Sequence, residues 1–363
     1  MTLLALAIAA AVAQPGVATR LPPAPVKLWD IAWQRPLVPP SPLEWKPQER
    51  GGPAIDALSG LVLVGTRDGW IHALDPDGKR LWDYKTGGRI DAVPRIEGEV
   101  AYVGSSDGGL YALELATGKL IWRYDAQEEV GTTPVVAGGL VLFMTLQDSL
   151  IAVDAKSGTW KWHHRRESRE GFTILGAAPV LVSGALALGA YSDGTVAALD
   201  LKTGTVKWER RITPSGDFMD VDALWLQGSR LYAASYSGGI YALDVQSGQQ
   251  EWELKAQGAC RLTLGGGLLL AVTTTQILGI SARDGTRRWT LPLDGVPSGS
   301  PVLLGGRAVV PNSKGLLLID AALGRVVGLF DPGTGVSATV GWVGRRLYVL
   351  SNSADLLALD LTA

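Results

Sequence analysis

The sequence predicts an all-β fold: an eight-bladed β-propeller with four antiparallel strands per blade, closed by an N-terminal strand that completes the C-terminal blade. Three observations predict it. A short unit recurs eight times, its spacing stays near 40 residues, and its interior alternates apolar and polar residues at strand periodicity. The unit is a strand ending in Ala-Leu-Asp, a turn with Gly, and then Trp. It reads Ala73-Leu74-Asp75, Gly78, Trp82 in the first copy and Ala112-Leu113-Glu114, Gly118, Trp122 in the second. Ala152-Val153-Asp154, Gly158, Trp162 follows, then Ala198-Leu199-Asp200, Gly204, Trp208, then Ala242-Leu243-Asp244, Gly248, Trp252. The sixth copy has decayed to Gly279-Ile280-Ser281, Gly285, Trp289, and the seventh keeps Leu318-Ile319-Asp320 and Gly324 but has Gly328 in the Trp slot. The eighth, Ala358-Leu359-Asp360, stands three residues from the last residue.

Successive Asp slots are 39, 40, 46, 44, 37, 39 and 40 residues apart. That period suits a four-stranded propeller blade, and the alternation in Ile71-His72-Ala73-Leu74 excludes the helical repeats of similar length. Asp68-Gly69, Asp107-Gly108, Asp193-Gly194 and Gly238-Gly239 provide tight hairpins. In Asp-x-x-Ser/Thr-Gly the carboxylate can accept turn N–H groups while glycine takes the left-handed position. The Trp that follows is large enough to fill the gap between blades, with its indole N–H toward the wet edge. A residue needed eight times is structural rather than catalytic.

Ring closure is also legible. The last unit lacks a fourth strand, while Val26–Arg35 precedes the first complete unit, and Trp33-Gln34-Arg35 resembles the outer-strand Trp208-Glu209-Arg210. The last blade is therefore expected to be shared between about 26–35 and 335–361, which removes open edges. Six prolines between Pro36 and Pro53 mark an irregular connection outside the sheets. The expected organisation is a signal peptide over 1–13, a Pro-rich linker over 14–25 and one propeller over 26–363.

The signal peptide rests on the apolar run Leu3–Val12 and the small residues Ala11-Val12-Ala13 ahead of Gln14, although no Lys or Arg precedes the run. Ten apolar residues are too few to span a bilayer, and no other stretch is long and apolar enough, so no transmembrane segment is expected. Acidic and basic residues nearly cancel, 35 against 33, which leaves no global basic footprint for nucleic acid. The local cluster His163, His164, Arg165, Arg166 and Arg169 reads either as a solvated loop or as an anion or partner contact. Cys260, the single cysteine, cannot form an intramolecular disulfide and reads as a small core residue or, alternatively, a reactive thiol.

No catalytic constellation emerges. Gly104-Ser105-Ser106-Asp107-Gly108 imitates a nucleophile elbow, yet a strand follows where a helix is required. Gly333-Thr334-Gly335-Val336-Ser337-Ala338 imitates a dinucleotide fingerprint without its strand-then-helix setting. The adjacent His163 and His164 point to opposite sides of a strand, and no Cys/His/carboxylate group has metal-ligand spacing.

The repeat resembles the pyrroloquinoline-quinone (PQQ) type propeller repeat over about Pro25–Leu361. That resemblance leaves two groups, quinone-dependent dehydrogenases and the noncatalytic BamB group of outer-membrane protein assembly. The dehydrogenases are much longer and hold their quinone against an adjacent cysteine pair and a calcium ion, so one cysteine and no dense acidic cluster argue against an enzyme, a cofactor or a metal. Phe172-Thr173-Ile174-Leu175-Gly176 resembles the BamB loop that presents apolar residues and an Arg to its partner, the BamA insertase. Asp220-Val221-Asp222 resembles the acidic pair that works with that loop.

What the resemblance implies is a partner-binding site of Phe172, Ile174, Leu175, Asp220 and Asp222, an apolar anchor beside charges that set register. Leu175 stands where the family presents Arg, so one ion pair is lost or moved. Both stretches precede the first strand of a blade and can project from one face of the ring. The expected protein is a periplasmic scaffold that binds BamA's periplasmic domains as a monomer within a larger complex. Members of the group usually carry a lipid-modified cysteine directly after the signal; none stands here, so location at the outer membrane would be peripheral. The other reading is an exported propeller that binds a polysaccharide, a small ligand or another protein complex.

Overall fold

The computed structural model describes residues 28–39, 46–166, 178–213 and 221–362. Among them, 32 strands form eight four-stranded antiparallel sheets arranged as the blades of a propeller. In seven blades the four strands follow one another from the inner strand to the outer one. The eighth blade pairs Gly341–Val343, Arg346–Leu350 and Asp355–Leu361 with the N-terminal strand Trp29–Pro36, so the ring closes as the sequence predicts. The described parts of the Pro-rich connection, 37–39 and 46–53, carry no strand. The segments 1–27, including the expected signal peptide and linker, lie outside the described residues.

The core sits at the seams between blades. Eight apolar clusters occur, and each draws its residues from two neighbouring blades: Leu188 and Val196 of the fourth blade pack with Leu231 and Leu243 of the fifth, for example. This placement follows from the sequence, because strands with both faces covered must be apolar on both faces. The second strand of the third blade, Leu140–Met144, is accordingly buried along its whole length.

The repeated Trp and Gly form one device across each seam. The indole of Trp162 donates to the Leu201 carbonyl of the next blade at 3.1 Å, and those of Trp82, Trp122, Trp208, Trp252 and Trp289 donate to the equivalent carbonyls of Leu115, Ala155, Val245, Ala282 and Ala321. The N–H thus bonds a neighbouring turn instead of facing water. The same indole lies flat against the next blade's turn glycine: a Cβ on Gly204 would come within 2.6 Å of the Trp162 ring. Gly204 therefore answers to two constraints, a φ of +70° and the ring above it. The Asp slots behave as expected; Asp154 accepts the backbone N–H groups of Lys156 and Ser157 at 3.1 and 3.0 Å.

The missing seventh Trp has a physical reason. The eighth blade has no turn glycine between its third and fourth strands, because its fourth strand, Trp29–Pro36, does not follow its third in sequence. Leu28, at the start of the closing strand, occupies the space above Gly328 instead, with Trp29 tilted against Phe330 at 6.0 Å. The closing strand then repeats the ordinary device toward the first blade: Trp33 donates to the Pro76 carbonyl at 2.8 Å and covers Gly78.

Candidate functional site: the hairpin face and its central mouth

Two kinds of connection share one face of the ring. The turns between second and third strands lie beside the linkers that run from each outer strand to the next inner strand, as the bonds Thr86 N–H to Gly69 carbonyl and Ser106 N–H to Arg89 carbonyl record. The decoy Gly104–Gly108 is one of these hairpins, between strands Val100–Gly104 and Gly109–Glu114. The expected partner-binding residues fall, in chain order, on two connections between the outer strand of one blade and the inner strand of the next. The segment 167–177 runs from the outer strand Trp160–Arg165 toward the inner strand Leu181–Ser183, and 214–220 runs from Val206–Arg211 into Val221–Gln227. Phe172, Ile174, Leu175 and Asp220 lie outside the described residues.

Asp222 is described. It is the extra residue of a β-bulge: Val221 pairs with Ser235 and Ala223 with Ala234, leaving Asp222 between them. A bulge re-aims a side chain and raises the local twist. Here it turns a carboxylate, 6% exposed, onto the wall of the central mouth. The next blade repeats the arrangement with Cys260 between Ala259 and Arg261. Cys260 is buried, its thiol donates to the Val272 carbonyl at 3.5 Å, and burial together with the nearby Asp222 charge pushes its pKa up to about 11. A thiol held protonated is a packing residue, not a nucleophile.

The basic cluster of the sequence resolves into an anchor at the foot of 167–177. Arg166 donates through Nε to Asp193 at 2.9 Å and pairs through Nη1 with Glu209 at 2.9 Å. Its guanidinium also lies 5.8 Å from the Tyr191 ring centre. His164 contacts the Tyr191 hydroxyl at 2.7 Å and Glu209 at 3.4 Å. Burial works against the Arg166 charge, but the bonds to Asp193 and Glu209 outweigh it and raise its pKa further. For His164 burial prevails and lowers the pKa, which favours the neutral ring. Arg165 pairs with Glu128 at 3.1 Å, across the opposite seam. His163 faces the other way and packs on Trp160. The cluster is therefore neither a solvated loop nor, for His164 and Arg166, an open anion contact. It ties the third blade to the fourth where the chain leaves for 167–177; Arg169 lies outside the described residues.

At the centre of the face a cavity of about 510 Å³ is lined by Arg50, Asp91, Asp222 and Arg261, together with Ser, Thr and Asn side chains and a few aliphatic ones. None of the described residues lining it is aromatic. Arg261 is braced in place: Nε donates to the Ser298 carbonyl at 2.8 Å and Nη1 to the Cys260 carbonyl at 2.7 Å. Sequence reading did not single out Arg261, because the repeat register alone does not reveal a bulge. The signal that was available is the spacing: the two longest intervals, 46 and 44 residues, contain 167–177 and 214–220.

Comparison with known proteins agrees with this architecture. The family model described as outer membrane protein assembly factor BamB matches residues 67–291 and 220–328. The outer membrane protein assembly factor BamB of Pseudomonas aeruginosa is 28% identical over 202 residues, 52% of this chain and 53% of that protein. The protein of the same description from Moranella endobia is 26% identical over 154 residues, 37% of this chain and 40% of that protein. The matched region thus spans about half the length of these curated relatives or less. Among solved structures, BamB from Moraxella catarrhalis superposes with a TM-score of 0.80 at 21% identity, covering 92% of this chain and 100% of that one. The quinohemoprotein alcohol dehydrogenase of Comamonas testosteroni gives 0.74 at 16% identity, covering 93% and 77%, so structural likeness at this level reports the propeller alone. The match of the family model across most of the repeats decides between these neighbours, and the chain belongs to the outer membrane protein assembly factor BamB family.

Proposed function

We propose that this chain is a non-catalytic periplasmic scaffold of outer-membrane β-barrel assembly, which binds the periplasmic domains of BamA through its hairpin face. The observation that carries the reading is the place of Arg166 and the bulged Asp222 on that face, each beside one of the two longest inter-blade intervals of the sequence. The two lengthened inter-blade segments, the Arg166 anchor at the foot of one and the bulged Asp222 at the end of the other all belong to neighbouring blades. Regular blades supply rigidity; irregular linkers on a rigid scaffold are where recognition is placed. In this reading Phe172, Ile174 and Leu175 form the apolar anchor, and Asp220 and Asp222 supply charge complementarity and register.

The experiment is titration calorimetry of the full chain against the periplasmic domains of its own organism's BamA. The comparison is with Ile174→Ala and with the double substitution Asp220→Ala/Asp222→Ala. The reading expects saturable binding that either change weakens by tenfold or more without altering the melting temperature beyond a few degrees. Absence of binding by the unaltered chain overturns it. The other reading, a small-ligand propeller, draws on the polar central cavity, but among the described residues that cavity offers no aromatic platform for a sugar ring or a quinone.

A further inference from the structure

The inner strands of the fifth and sixth blades differ from the rest. Val221–Gln227 and Ala259–Gly265 are seven residues long, whereas the other six inner strands have two or three, such as Arg95–Glu97 or Leu181–Ser183. Each of the two begins with a bulge that no other inner strand carries, and each brings a charged side chain to the central mouth: Asp222 from the fifth blade and Arg261 from the sixth. Bulges of this kind re-aim side chains and concentrate beside binding sites.

The Arg261 guanidinium is held like a part of the frame. Its Nε donates to the Ser298 carbonyl, in the connection to the seventh blade, and one Nη donates to the carbonyl of Cys260, the bulged residue of its own strand. Among the described residues its second Nη has no protein acceptor. A guanidinium fixed by two carbonyls loses little side-chain entropy on meeting a carboxylate, which is the condition for a strong charge-assisted pair. Arg50 lines the same cavity from the linker into the first blade, and Thr132, Ser300 and Thr339 add hydroxyl groups around it. The cavity, about 510 Å³, has room for a few side chains and, among the described residues, no flat aromatic wall.

We propose that this mouth receives a polypeptide segment of the partner bearing a carboxylate beside a basic group, the carboxylate paired with Arg261 and the base with Asp222. The inference rests on the scaffold reading above and extends its footprint from the linkers of the fourth and fifth blades across the mouth to the sixth. It assigns Arg261 a recognition role that the repeat itself does not require.

The test measures association and dissociation rates of the full chain with BamA's periplasmic domains at low and at physiological ionic strength. Unaltered chain, Arg261→Gln, Arg261→Lys and Asp222→Asn are compared, each with its melting temperature. The expected result is a loss of tenfold or more in affinity for Arg261→Gln with a flattened salt dependence, and recovery of the salt dependence in Arg261→Lys, which keeps the charge. Asp222→Asn should weaken binding without changing the melting temperature. If Arg261→Gln also destabilises the fold, the Lys and Asn variants decide, since a merely structural role would leave the salt dependence of a folded protein unmoved. Wild-type affinity and salt slope in Arg261→Gln, or in Asp222→Asn, overturn the inference while leaving the scaffold reading intact. No binding by the unaltered chain overturns both.

Discussion

The seam device can be taken apart one atom group at a time. Trp162 is 5% exposed, donates to the Leu201 carbonyl at 3.1 Å and lies over Gly204. Trp162→Ala deletes a buried aromatic, a change that costs about 3–5 kcal/mol, of which roughly 1 kcal/mol is the hydrogen bond. Gly204→Ala puts a Cβ at φ +70° and 2.6 Å from the indole. The backbone part costs about 1 kcal/mol and the overlap about 1–3 kcal/mol more. In the double variant the indole is gone, so the overlap disappears and only the backbone part remains. The two substitutions should then cost less together than the sum of their separate costs, by about 1–3 kcal/mol. Gly184→Ala is the internal control: its φ is +58° and nothing lies within 4 Å of the added methyl, so it should cost about 1 kcal/mol alone. Urea midpoints followed by far-ultraviolet circular dichroism measure all four. Additive costs for Trp162→Ala and Gly204→Ala, within about 0.5 kcal/mol, would refute the packing of the indole on Gly204 as a coupled device.

Other outcomes follow from the same structure. Glu49 is buried beside Arg67, and desolvation raises its pKa from 4.5 to about 7 despite the backbone and guanidinium hydrogen bonds of Arg67. An acid whose folded pKa lies above its unfolded value keeps its proton longer when folded, so its contribution declines as pH rises from 4.5 toward 7. Replacing it by Gln should flatten that part of the stability–pH curve, by an amount of order a few kcal/mol; an unchanged curve in thermal melts at stepped pH would count against the desolvated site. Arg166→Ala leaves Asp193 and Glu209 facing each other at a half-buried seam and should cost about 1–2 kcal/mol, with a larger fractional loss in partner affinity than in stability. Gly328→Trp should destabilise rather than repair the seventh repeat, because Leu28 already fills the space; a raised urea midpoint would contradict the account of ring closure.

The eight blades were legible in the sequence because a propeller repeats its chemistry. Asp at most of the turns, Gly after it and Trp in the next strand are each demanded by local geometry that recurs, and even the closing strand announced itself through Trp33. Repetition, however, shows only what the blades share. Gly328 in the Trp slot finds its reason only in Leu28 above it, a contact 300 positions away in the sequence. The indole N–H was expected near water because the sequence does not show which carbonyl of the next blade faces it. At the candidate site, Asp222 was legible from its motif and Arg166 from its basic cluster, whereas the anchoring of Arg166 across the seam and the place of Arg261 were not. A bulge shifts register by one residue, and an ion network spans two blades, so neither leaves a periodic trace.

The central claim is that the hairpin face meets BamA, and site-specific photocrosslinking in living cells tests it most directly. A photoreactive amino acid is placed at Ile174, or at Leu58 in a turn on the opposite face, 98% exposed. The account predicts a crosslink to BamA from position 174 and none from position 58. BamA captured from 58 and not from 174 would contradict it.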